Sequence, residues 1–123
     1  MGNNNTAVTE TFTGLAGNDY IDGRSGFDIA GYNNIYFSTA AITVDMAAGT
    51  VTGDASVGND TFTGVNSLTG SNFADTLYGS DNAPNTGEAF EGRAGNDTID
   101  GRGGFDTAIY NTDNTVNAGI TVN

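Results

Sequence analysis

The chain has 123 residues, enough for one small domain, and sets 15 carboxylates against 3 arginines and no lysine, a formal charge of -12. Only 24 residues are Leu, Ile, Val or Phe, while Gly, Asn, Asp and Thr supply 19, 16, 12 and 18, a composition that excludes a bundle of long helices and leaves the chain unfolded in plain water unless something cationic assists it. Three arginines cannot neutralise a phosphate backbone, so no nucleic-acid partner is expected, and no apolar run predicts a membrane span or a Sec leader.

In chain order, residues 1–31 are predicted as a first set of turns. Gly14–Asp22 and Gly23–Gly31 are consecutive nine-residue blocks with Gly at position four, Asp at six and an apolar or small residue at eight: Gly17, Asp19, Ile21, then Gly26, Asp28, Ala30. Glu10 with Phe12 keeps the acid and its apolar neighbour two residues on. Residues 32–54 interrupt this pattern: YFSTAAITVDMAAGTVT alternates, which predicts strands around a turn near 47–49. Residues 55–110 resume the blocks. Ala55–Thr63 carries Gly58, Asp60 and Phe62; Gly64–Thr69 is a shortened coil of six residues; Gly70–Tyr78 keeps Asp75 and Leu77. A polar insertion at 82–86 holds Pro84, Glu88 precedes Phe90, and two full blocks follow with Gly95, Asp97, Ile99 and Gly104, Asp106, Ala108. Residues 111–123 read as the truncated start of a second interlude. An offset of 78 residues lays Gly14–Asp45 on Gly92–Asn123 with 19 of 32 positions identical, so the piece reads as cut from a longer array.

The nine-residue spacing has a physical meaning. Six turn-forming residues rich in Gly reverse the chain, and three extended residues follow with the middle one pointing inward. Each block is half a coil, and stacked coils pair their strands in parallel. Every position-six carboxylate then falls in a column at roughly 5 Å spacing, where like charges repel unless a cation lies between them. An oxygen-only set of carboxylates and turn carbonyls selects calcium over zinc or a redox metal.

Blocks such as GLAGNDYID and GRAGNDTID resemble the hemolysin-type calcium-binding nonapeptide, GGxGxDxUx, of the RTX proteins. The resemblance implies an all-β fold, a right-handed parallel β-roll (a β-helix or solenoid) with a strand-rich interlude, forming a single domain over 1–123. It implies that Asp19, Asp28, Asp97 and Asp106 supply side-chain oxygens, with the carbonyls of Gly17, Gly26, Gly95 and Gly104 nearby. Glu10, Gly58, Asp60, Asp75 and Glu88 extend the same columns in degenerate turns. The second Gly of the pattern is Leu15, Arg24, Arg93 or Arg102, the fourth position of one block is Phe73, and Glu replaces Asp at 10 and 88. Stacking alternate half-coils pairs Glu10 with Asp28 and Glu88 with Asp106 on one edge. On the other edge it pairs Asp60 with Asp75, Asp75 with Asp97, and Asp19 with Asp60. About four or five calcium ions follow from that geometry.

Other readings of the same residues are weaker. Asp81, Ala83, Asn85 and Thr86 lack the third ligand and the glycine of an EF-hand. Ice-binding adhesins of this family carry Thr at position three, where this chain has Ala16, Ser25, Val57, Asn72, Ala94 and Gly103. Phe27 and Phe105 are expected as packing caps. No enzyme is expected: His, Cys and Lys are absent, and aspartates committed to metal leave no spare acid–base pair. The expected function is a calcium-binding module of a larger secreted bacterial protein that leaves by type I secretion and folds on binding calcium outside the cell or at its surface. The alternative is a repeat unit of a calcium-dependent adhesin or surface-layer protein, engaged in self-association or glycan contact. A less favoured third is an accessory module of a secreted hydrolase or epimerase.

Overall fold

A computed structural model describes residues 1–4, 8–33, 38–84, 86–109 and 120–122. The elements are all strands: β1 (Thr11–Phe12), β2 (Tyr20–Asp22), β3 (Ile29–Gly31), β4 (Thr43–Asp45), β5 (Thr50–Thr52), β6 (Asn59–Thr63), β7 (Ser67–Thr69), β8 (Thr76–Tyr78), β9 (Ala89–Glu91), β10 (Asp97–Asp100), β11 (Thr107–Ile109) and β12 (Ile120–Val122). Most are three residues long, the length left over once a six-residue turn has used its share of a nine-residue block. Among the described residues no helix is long and apolar enough to cross a membrane.

The strands fall into two sheets that the chain visits in alternation. One has five strands in the order β1-β3-β7-β9-β11, all parallel. The other has seven, in the order β12-β10-β8-β4-β5-β6-β2. This is the β-roll that the nonapeptide pattern predicts. In the first sheet the position-eight residues Ala30, Leu68, Phe90 and Ala108 stand in register. They meet Ile21, Phe62, Val51, Val44, Leu77 and Ile99 of the second sheet in one apolar core. The small Ala30 and Ala108 flank the adjacent bulky pair Leu68 and Phe90 in this column.

The surplus of two strands in the second sheet is the β4–β5 hairpin, closed by a turn over 46–49. β4 pairs in parallel with β8, whereas β5 runs antiparallel to both β4 and β6. Val44 and Val51 lie opposite each other and are almost fully buried, so the hairpin fills two places in the apolar column. The stacking of Asp60 directly on Asp75 expected from the sequence is therefore wrong: β4 and β5 lie between their strands. Tyr32, Ile42, Met46, Val57 and Val65 enlarge the core around this insertion. Phe27 and Phe105 are not packing caps either, being 44% and 73% exposed.

Candidate metal centre

The turns that carry Asp19, Asp28, Asp97 and Asp106 share a backbone signature. Position four is Gly17, Gly26, Gly95 or Gly104, each with φ between 116° and 136°, a region that glycine tolerates and side chains rarely adopt. Position two is Leu15, Arg24, Arg93 or Arg102, with φ of 60° to 70°. A non-glycine residue in this left-handed region costs about 1–2 kcal/mol. The family pattern places its second glycine here, and the conformation is kept although the residue is not.

Each turn delivers its acid to the start of the next strand, where the acids form two columns. Along the five-stranded sheet the column runs Glu10, Asp28, Asn66, Glu88, Asp106; along the seven-stranded sheet it runs Asp19, Asp60, then past the hairpin to Ile42, Asp75 and Asp97. One carboxylate oxygen of a coil accepts the backbone N–H of its neighbour. Glu10 N donates to Asp28 Oδ1 at 3.2 Å, Asp19 N to Asp60 Oδ1 at 2.9 Å, Asp75 N to Asp97 Oδ1 at 2.9 Å and Glu88 N to Asp106 Oδ1 at 3.1 Å. Asp28 N donates to Asn66 Oδ1 at 3.1 Å, and Ile42 N to Asp75 Oδ1 at 2.9 Å.

The second oxygen turns back over the first glycine of the acid's own turn. A Cβ on Gly23 would lie 3.0 Å from Asp28 Oδ2; one on Gly14 would lie 2.8 Å from Asp60 Oδ2 and 3.1 Å from Asp19 Oδ2. Two carboxylate oxygens of adjacent coils thus crowd a single point beside the backbone. Asp19 Oδ2, Asp28 Oδ2 and Asp97 Oδ2 are buried without a hydrogen-bond partner among the described residues. Asp28 and Asp97 are 0% and 2% exposed. Leaving a buried anionic oxygen unpaired is costly. Burial itself shifts protonation equilibria in the columns: it pushes the Asp97 and Asp60 carboxyls up, with the Asp19 charge adding to the effect at Asp60. Asp75 is pushed up to about 6, chiefly by burial, against the hydrogen bonds from Ser71 and Ile42.

Hard oxygen donors at a desolvated, electron-rich point suit a hard cation, and calcium fits this set. Among the described residues no three acids converge on one point, so side-chain charge comes from pairs along a column and the remaining ligands would be turn carbonyls. The pairs Glu10/Asp28, Asp19/Asp60, Asp75/Asp97 and Glu88/Asp106 are neighbours. Gly17, Gly26, Gly58, Gly95 and Gly104 all lie in turns with positive φ.

Four residues at the columns carried no signal in the acid count. Asn66 takes the acid's place in the shortened coil, and its position could have been found from Leu68 two residues on. Tyr32 places its hydroxyl 2.9 Å from Asp60 Oδ2, and burial with the adjacent Asp60 charge pushes that hydroxyl up. Ser71 and Ser80 bond Asp75 and Glu88. Arg102 extends from its turn to Asp45 of the hairpin, with N–O distances of 2.9 and 3.0 Å, and lies over the Tyr78 ring at 5.3 Å.

No curated protein matches this chain. The family model of the RTX calcium-binding nonapeptide repeat matches it in four copies, over residues 9–30, 60–83 and 90–108. Those segments make up just over half of the chain and contain every acid of the two columns except Glu88. The chain belongs to the RTX calcium-binding nonapeptide repeat family and is a calcium-binding repeat module built as a β-roll.

Proposed function

We propose that this module folds by binding several calcium ions between its stacked turns, about four or five in all. In this reading Asp19, Asp28, Asp97 and Asp106 carry the side-chain charge, and the turns of Gly17, Gly26, Gly95 and Gly104 bring backbone carbonyls. The observation that carries it is the pair of buried acids Asp28 and Asp97, each with an oxygen that no group among the described residues satisfies. Binding and folding are one event, because the columns repel until a cation neutralises them. A chain that stays open where calcium is scarce and closes where it is abundant suits export from a bacterial cell followed by folding outside it or at its surface. Its role is structural, not catalytic.

Titration calorimetry of the chelator-stripped chain tests this reading. Calcium should bind in several equivalents, and magnesium should bind far more weakly because it demands tighter octahedral geometry. Absence of calcium binding would overturn it. Among the described residues β1 and β2 have a strand neighbour on one side only, with Gly2 N donating to Asp22 O at the open side of β2. These edges favour a second reading, a repeat unit of a calcium-dependent adhesin or surface-layer protein that adds strands from another chain. Calcium-dependent oligomers in sedimentation velocity would support that reading, and a strict monomer would remove it.

A further inference from the structure

The position-six acids are not alike. Four have a protein donor on a side-chain oxygen, beyond the bonds that link neighbouring coils. Asn3 N donates to Glu10 Oε2 at 2.7 Å and Asn3 Nδ2 to Oε1 at 2.9 Å. The Tyr32 hydroxyl donates to Asp60 Oδ2 at 2.9 Å. Ser71 donates from N to Asp75 Oδ2 at 2.7 Å and from Oγ to Oδ1 at 2.6 Å. Ser80 does the same to Glu88, from N to Oε2 at 2.8 Å and from Oγ to Oε1 at 2.5 Å. Asp19, Asp28 and Asp97 instead keep their orphaned Oδ2 atoms.

The residue after the first glycine of the turn separates the two classes at every acid but Asp60, whose block opens at Ala55 and whose donor is Tyr32. Where it is Asn3, Ser71 or Ser80, φ is not positive, and both the amide and the side chain reach the acid. Where it is Leu15, Arg24, Arg93 or Arg102, φ lies at 60° to 70°. The amide of Arg102, for example, donates to Asp100 Oδ1 at 3.1 Å instead of to Asp106. The left-handed turn thus leaves the acid's second oxygen to a cation. The ordinary turn closes on it from within the protein.

The orphaned acids are also segregated along the roll, although Glu10, held by Asn3, lies outside the centre at the edge of the five-stranded sheet. From β4 to β9, residues 43–91, the columns hold Asp60, Asn66, Asp75 and Glu88: three acids with a protein donor and one neutral amide. The orphaned acids all lie in the flanking blocks, 14–31 and 92–109. Charge-assisted hydrogen bonds to a carboxylate are stronger than neutral ones and offset part of its desolvation.

Resting on the calcium reading above, we infer that Ser71 and Ser80, with Tyr32, are built-in substitutes for calcium. They hold the β4–β9 coils together when the cation is absent and confine the calcium requirement to the Asp19, Asp28, Asp97 and Asp106 turns. Hydrogen exchange of the full chain, measured by mass spectrometry in chelator and in saturating calcium chloride, tests this. In chelator the wild type should protect amides of β7, β8 and β9 while those of β2, β3, β10 and β11 exchange freely. The S71A/S80A double variant should lose that central protection in chelator and regain it in calcium, since a cation can take the vacated place. Uniform exchange across the wild type in chelator overturns the inference. So does an equal loss of protection in the double variant with and without calcium, which would make the serines ordinary structural hydrogen bonds. If calcium protects no segment of the wild type, the calcium-binding reading itself fails and the substitution falls with it. The first two results leave that reading intact.

Discussion

Asp75 concentrates the electrostatics of the roll in one side chain. Ile42 and Ser71 donate to it and Asp97 repels it, yet burial dominates and raises its carboxyl to about 6. A group whose folded pKa lies above its unfolded value near 3.8 favours the folded state when protonated. Its stabilisation is fully present below the unfolded pKa and is lost as pH rises through about 6. Asp60 and Asp97, both shifted upward, act in the same sense. The calcium-free chain should therefore gain strand signal or thermal stability as pH falls from 7 toward 4. The calcium-loaded chain should lose stability over the same range, because protons displace the cation. Asp75→Asn should flatten the calcium-free profile, and melting curves in chelator across that pH range provide the check. The column positions of Asp19, Asp28, Asp97 and Asp106 were legible in the sequence because the nonapeptide period is strict there. Tyr32 was not: it approaches Asp60 from 28 residues away, across the interlude that interrupts the nine-residue period.

The strands themselves were legible from the apolar residue at position eight, since three extended residues can turn only their middle side chain inward. The register of the seven-stranded sheet was not. Residues 40–52 alternate clearly, but alternation does not say whether a hairpin lies outside a sheet or within it. Val44 and Val51 decide the matter by filling the apolar column between Leu77 and the β6 strand, and that separates Asp60 from Asp75. Leu77, fully buried on β8 between β4 and β10, joins the hairpin to the repeating coils. Leu77→Ala should cost about 2–5 kcal/mol in the calcium-loaded state, measured by urea unfolding. Loss of a buried side chain at this junction should also raise the calcium concentration needed for folding. The Arg102–Asp45 pair spans the same junction at the surface, with both side chains about one-third exposed. Exposed pairs contribute little, so Arg102→Ala should leave the urea midpoint close to wild type.

At the scale of the molecule, a formal charge of -12 and a small apolar fraction first describe a chain that cannot fold alone. The fold gives much of that charge a location: eight of the fifteen acids stand at the sixth position of a turn, in two columns where neighbouring coils repel. In a stacked repeat each coil contacts chiefly its neighbours, so neutralising one junction stabilises the next and folding spreads along the roll. Far-UV circular dichroism of the full chain, in chelator and during calcium titration at neutral pH, tests this most directly. The strand signal of the flanking coils, β1–β3 and β10–β12, should be absent in chelator and should appear cooperatively as calcium is added. A spectrum equally rich in strand with and without calcium would contradict the account.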